Sequence, residues 1–372
     1  QPAGFVVVSA DDRIEPIIAF SAINNFVWDV PFETAGKVLV GRTLNSRRND
    51  IQNRVAQGAA APVHSLWDDL RAVLDGDSRE TSAYREIQDT DLILLDTAAW
   101  DQGGAYNDLV VAHNGGTEVP TGCTATAMAI LMRYFMWPWS GVGSESYTDT
   151  WGTVQYSHSA NFGATYYNYN NMPTTNITSA NADVARLMYH CGVAVHMDYE
   201  PPGSGAWLTL SAMHDHFRFH GTIDNRSGHE DPMIESVKAQ VPVILSTSKH
   251  TVVCDGHRTS PSPYLHINAG WGGGSTGWYS LSTLPGSDST VDRSYPYGTP
   301  NNYIYVDISN TSTENGTLRY PWDTVNEGVS DVPSGGQLWI KGGYYSGATP
   351  GAPVNTNKTM LIQAYEGTVT IR

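Results

Sequence analysis

The run Gly122-Cys123-Thr124-Ala125-Thr126-Ala127-Met128-Ala129-Ile130-Leu131-Met132 is apolar, alanine-rich and headed by a cysteine. It reads as a helix with a thiol at its N-terminus. There the sulfur faces unpaired backbone N–H groups and the positive end of the helix dipole, both of which favour thiolate over thiol. A free cysteine is also commonly a small buried hydrophobe. Position alone therefore leaves Cys123 either as a nucleophile or as part of a core.

The chain has 372 residues, enough for two or three domains, and is 40% hydrophobic and only 16% charged, with 36 Gly, 20 Tyr and 11 Trp. That profile belongs to a strand- and loop-rich globular protein. A net charge of −16 argues against nonspecific nucleic-acid binding, which needs clustered Lys and Arg. No apolar stretch approaches the length of a membrane span. The chain opens at Gln1 with no signal-peptide pattern, and what came before it is expected to have been removed, either by processing or by the choice of starting residue. Cys123, Cys191 and Cys254 are the three cysteines. They form neither a disulfide framework nor a C-x-x-C zinc motif, and Cys191 and Cys254, embedded in apolar segments, read as structural.

Three regimes divide the chain. Residues 1–90 open with strands over Gly4–Ala10 and Glu15–Phe20 about the polar turn Asp11–Arg13, followed by an amphipathic helix from Ser65 to Leu74 and an exposed linker over Asp75–Ser82. Residues 91–308 begin with extended chain and the Cys123 helix. A Tyr/Asn/Gly-rich stretch of loops and short strands (Thr148–Met172) and a second helix (Asn181–His190) come next. Strand-like runs then follow at Val241–Leu245, Thr251–Cys254, Tyr264–Asn268 and Gly277–Leu281. A helical half followed by an antiparallel half is an α+β layout. From 314 to 372, short strands set by Gly turns resemble the opening coil of a right-handed parallel β-helix.

A cysteine nucleophile needs a base, an orienter for that base, and donors for an oxyanion. Among twelve histidines, His250 is the best candidate base, because it leads from one strand into the next on a rigid β element. His257 and His266 lie in the same region, beside turns and at a strand end. Asn268 is placed to accept from the imidazole and hold its tautomer, with Trp271 shielding the pair. Gln102 is placed to donate its amide to an oxyanion beside the Cys123 N–H. Five N-x-S/T sequons, at Asn176, Asn225, Asn310, Asn315 and Asn357, carry little weight in so Asn-rich a chain.

These residues carry a family resemblance. Gly122–Ala129 with Arg133–Pro138 resembles the active-site helix of streptopain-type cysteine peptidases (peptidase family C10). Ala105–Asn107, Thr165–Pro173, His190–Met197, Gly203–Ala206, His250–Gly256 and His266–Gly273 are similar in order, and Gly4–Phe20 resembles that family's propeptide. The resemblance implies a papain-like two-lobed fold with an N-terminal α+β inhibitory propeptide and a short all-β extension. It also implies a secreted bacterial endopeptidase made as a latent zymogen, acting on proteins or peptides, with its own propeptide as inhibitor and no cofactor or metal. By the same resemblance Cys123 is the nucleophile, His250 the base, Gln102 the oxyanion donor, and Asn268 to Trp271 the supporting loop. The propeptide is expected to displace a catalytic group until it is cut. Three departures stand out. Lys249 replaces the usual Gly, Ala269 the usual Trp, where it is expected to expose His250 to water or to alter a substrate wall, and His257 an aromatic residue. A Cys–His acyl transferase or amidase, and a non-catalytic surface-binding protein with a vestigial peptidase domain, remain as alternatives.

Overall fold

A computed structural model describes residues 5–9, 13, 17–21, 63, 67, 92–110, 117–224, 230–246, 250–259, 263–280, 293–345 and 358–371. The Ser65–Leu74 helix, the 75–82 linker and Lys249 therefore lie outside the described residues, Trp67 apart. Two short strands, β1 (Phe5–Val8) and β2 (Ile17–Ser21), precede β3 (Ile93–Leu94). Helix α1 (Cys123–Phe135) follows, then a hairpin of β4 (Ser144–Trp151) and β5 (Val154–Asn161), and helix α2 (Ala182–Ala194).

Helix α1 begins where the sequence places it. Gly122, its N-cap residue, has φ of 86°, and a Cβ there would lie 2.6 Å from Met197, so the entry to the helix requires glycine. Thr124 to Met132 are all buried. A helix buried on every face must be apolar on every face, which accounts for the alanine-rich run. Asn181 caps α2, its Oδ1 accepting from the N–H groups of Asp183 and Val184 at 3.1 and 3.0 Å. The β4–β5 hairpin turns through Gly152, at φ of 65°. Two eight-residue strands thus occupy ground that the sequence reading had assigned to loops and short strands.

The second lobe contains β6 (Phe219–His220), α3 (Glu230–Lys238), β7 (Val243–Ser246), β8 (Thr251–Arg258), β9 (Tyr264–Asn268), β10 (Gly277–Ser280), β11 (Arg293–Tyr295) and β12 (Thr299–Pro300). Among the described residues the main sheet runs β1-β2-β10-β9-β8-β7-β11, with β3 paired to β8. Every pairing in it is antiparallel. Period-two alternation gives the sheet two apolar faces. Ile244 and Val253 join the core built around α1 and α2. Val243, Leu245, Val252 and Cys254 join a second core with Met233 and Val237 of α3. Helix α1 lies between α2 and the β7–β8 pair, so its N-terminus opens at the seam between the lobes. The described N-terminal strands extend the sheet of this lobe, since β2 pairs with β10 and the Tyr264 hydroxyl donates to the Ile17 carbonyl at 3.1 Å.

A separate sheet ends the chain: β13 (Tyr303–Val306), helix α4 (Val325–Asp331), β14 (Gly336–Tyr345) and β15 (Met360–Ile371). The three strands pair in parallel, β13 to β14 to β15, as successive coils of a parallel β-helix would. The sheet takes in Tyr303–Val306, so this unit starts earlier than residue 314. Of the short strands expected from 314 onward, the first, over residues 316–325, instead leads into α4, which Thr324 caps by accepting from the Glu327 N–H. Ile304, Val306, Leu338 and Ile340 bury with Val325 and Val329 of α4. On the opposite face Tyr303, Tyr305, Trp339 and Tyr365 meet Ala239, and the Tyr303 ring stands edge-on to Phe135 at 5.5 Å. That aromatic face joins the unit to the end of α1. No helix among the described residues is long and apolar enough to cross a membrane.

Candidate active site

Cys123 is the first residue of α1 and is half-buried. His250 immediately precedes β8 and is 5% exposed. The two are hydrogen-bonded and electrostatically coupled. Burial pushes the Cys123 thiol up. The His250 charge and hydrogen bond, helped by hydrogen bonds from the Thr251 backbone and side chain, outweigh this and lower it to about 7. For His250, burial favours the neutral ring. Cys123 and the Ala269 carbonyl outweigh it and raise the imidazole above its ordinary value. Each partner thus stabilises the other's charge, which is the chemistry of a thiolate–imidazolium pair. Among the described residues, Cys123 and His250 are in contact while β1 and β2 lie on the sheet.

The orienter differs from the sequence expectation. His250 Nε2 lies 3.1 Å from the Ala269 carbonyl and 3.0 Å from Trp271 Nε1. One ring nitrogen cannot donate and accept at once. In the imidazolium Nε2–H donates to Ala269, and in the neutral Nδ1–H tautomer Nε2 accepts from the indole. The Trp271 ring stacks on the imidazole at 5.5 Å and 19°. Asn268 does not supply the acceptor. Its Nδ2 donates to the Thr97 hydroxyl and the Ala98 carbonyl, both at 2.9 Å, and its Oδ1 accepts from the Gly270 N–H at 3.1 Å. Asn268 therefore shapes the loop, and the loop's backbone meets the histidine. The replacement at Ala269 does not expose His250 to water, since Trp271 covers the ring and Ala269 is fully buried.

Gln102 sits in an extended segment tied to the entry of α1, its carbonyl accepting from the Thr121 N–H at 2.9 Å. Its side chain is buried, with Nε2 at a long 3.5 Å from the Gly270 carbonyl. Gly272 N–H donates to the Trp100 carbonyl at 2.9 Å, so the 268–272 loop and the 97–102 segment are laced together. Sequence reasoning missed Thr251 and Thr124. Their hydroxyls are 3.1 Å apart, Thr124 Oγ1 donates to the Ala206 carbonyl at 2.7 Å, and Thr251 bonds Cys123 directly. Adjacency to Cys123 and His250 was the available signal. Cys191 and Cys254 are fully buried, and burial raises both thiols. His257 is buried within β8, and His266 pairs with Asp255 at 2.6 Å. Among the described residues the one grouping of three possible metal ligands, Glu314, Asp323 and Glu327, belongs to the C-terminal unit and includes none of the cleft residues.

Residues 100–279 match the family model for the Peptidase C10 family. Over 337 residues the chain is 26% identical to the thiol protease/hemagglutinin PrtT of Porphyromonas gingivalis, covering 84% of this chain and 36% of that protein. It is 25% identical over 312 residues to streptopain of Streptococcus pyogenes, covering 76% of this chain and 72% of streptopain. The chain thus spans little more than a third of the length of PrtT. Its fold superposes on a prointerpain A fragment of Prevotella intermedia with a TM-score of 0.59 and 27% identity, covering 80% of this chain and 93% of the fragment. The motifs at Cys123, His250 and Asn268–Trp271 all fall within the matched region. Residues 100–279 therefore match the Peptidase C10 family, and over most of its length the chain is similar to streptopain and to prointerpain A.

Proposed function

We propose that this protein is a secreted bacterial cysteine endopeptidase in its precursor form, activated when the segment preceding β3 is cut away. The observation that carries the reading is the mutually stabilised Cys123–His250 pair at the head of α1, in the seam between the lobes. The Cys123 thiolate attacks the carbonyl carbon of a peptide bond. The oxyanion that forms is met by the Cys123 N–H, which has no acceptor within the helix, and by the second N–H of Gln102 Nε2. The His250 imidazolium gives its proton to the leaving amine as the C–N bond breaks, leaving a thioester. Water then attacks the thioester with His250 as base. The acid product departs and the thiolate is restored.

The Ala269 carbonyl and the Trp271 ring hold the imidazole through both proton transfers. Similarity to a prointerpain fragment over most of the chain supports the precursor reading, as does the binding of β2 to the sheet edge at β10. The test is casein hydrolysis by the cleaved protein with and without iodoacetamide, beside Cys123→Ala. Clearing abolished by either treatment supports the reading, and clearing that survives Cys123→Ala overturns it. Amine incorporation without hydrolysis would favour a transferase. N-terminal sequencing of the processed wild type locates the activating cut.

A further inference from the structure

Strand β8 contains one residue more than its partner. Val253 pairs with Asn268 and Cys254 with Ile267, but the next pair is Gly256 with His266, so Asp255 is a bulge. Bulges re-aim a side chain and recur beside active sites. Here the bulge turns a carboxylate into the interior, where Asp255 is 3% exposed. Asp255 Oδ1 lies 2.6 Å from His266 Nδ1, and Oδ2 accepts from the Thr97 hydroxyl at 2.5 Å. That hydroxyl in turn accepts from Asn268 Nδ2 at 2.9 Å. Asn268 fixes the turn through the Gly270 N–H, and the residue between them, Ala269, presents the carbonyl that faces His250.

We propose that Asp255, which is buried, and Thr97 and His266, which are half-buried, form a positioning relay that holds the Ala269 carbonyl against His250. The relay closes on itself along the chain. His250 leads into β8, within which Asp255 lies, and His266 and Asn268 lie two residues apart on β9, so both sides of the His250 contact are anchored to one carboxylate. Thr97 is the linking member, because its single hydroxyl donates to Asp255 and accepts from Asn268, a role that apolar residues of the same shape cannot fill. A plain structural ion pair between β8 and β9 would need neither Thr97 nor the bulge. The proposal rests on the peptidase reading, in which His250 must carry a proton on Nε2 while Cys123 is ionised.

The test compares Thr97→Val, which keeps the shape and removes the hydroxyl, with Thr97→Ser, which restores it. The expected result for Thr97→Val is a fall in kcat of about tenfold or more, part of the roughly 10²–10⁴-fold that general acid–base catalysis supplies, with KM unchanged. The acid limb of iodoacetamide inactivation should move to higher pH, since the imidazolium loses the carbonyl that stabilises it. Thr97→Ser should recover both. Wild-type kcat and an unmoved inactivation profile in Thr97→Val would overturn the relay, whatever the change in Tm. Should Thr97→Val fail to fold, Asp255→Asn carries the same expectation and the same refutation. A wild type that neither cleaves casein nor labels at Cys123 would instead overturn the peptidase reading on which the relay stands.

Discussion

Replacing His250 by Asn separates two sources of thiolate stability at Cys123. The ordinary thiol value is 9.0, and the structure lowers it to about 7, with burial opposing the change and His250 the largest favourable cause. That difference amounts to about 3 kcal/mol of preference for the ionised sulfur. In His250→Asn the burial and the Thr251 hydrogen bonds remain while the His250 charge and hydrogen bond are lost, so the midpoint should rise back toward the ordinary 9.0. At pH 7 the thiolate fraction should fall from about half to about 1%. The assay is the ultraviolet absorbance of the thiolate, followed against pH. Cys191 and Cys254 should stay silent, because burial raises both. Alkylation at pH 7 should fall by less than the thiolate fraction does, since a more basic thiolate is intrinsically more nucleophilic and recovers about eightfold of the loss. A midpoint remaining near 7 in His250→Asn would refute the reasoning. It would mean that the helix N-terminus and Thr251 alone hold the charge.

Further outcomes follow from the same structure. The acid limb of kcat/KM should lie near pH 7, where Cys123 ionises, and activity should fall again at a pH above the ordinary histidine value as the raised His250 imidazolium deprotonates. Native iodoacetamide should add once per chain, at Cys123, with Cys191 and Cys254 reacting only after unfolding; mass spectrometry of the intact and digested protein checks this. Gly122→Ala places a Cβ against Met197 and Ser204 in a backbone conformation reserved for glycine. It should cost about 1–3 kcal/mol, measured by urea unfolding, and slow Cys123 alkylation through the displaced helix entry. Tyr305→Ala removes a fully buried ring from the junction with the C-terminal sheet. It should cost about 3–5 kcal/mol while the alkylation profile of Cys123 stays unchanged.

Much of the frame was legible because it is local. The alanine-rich run predicted a helix from Cys123, and α1 starts there. The runs at Val241–Leu245, Thr251–Cys254, Tyr264–Asn268 and Gly277–Leu281 became β7 to β10, β9 residue for residue and β8 running four residues further, to Arg258. The β4–β5 hairpin was missed although its signal was present, two alternating runs about a Gly-Thr turn. Ser, Thr and other polar residues along both strands hid the alternation, because most side chains of this hairpin face solvent. The parallel character of the end of the chain was visible in its turn spacing. That Tyr303–Val306 belongs to that sheet was not, since a strand's partner is set by a register across some thirty residues.

The sequence by itself determined which residues have the chemistry: a cysteine at a helix head, a histidine entering a strand, and a Gly-rich turn after Asn268. Only the tertiary structure decided how those groups are held. A backbone carbonyl belongs to every residue and leaves no mark in composition or spacing, so the role of Ala269 opposite His250 could not be read in advance. The Asp255 bulge likewise exists only in the pairing of β8 with β9. Side-chain type is written one residue at a time, whereas the aim of a carbonyl or a carboxylate is fixed by contacts between segments far apart in the chain.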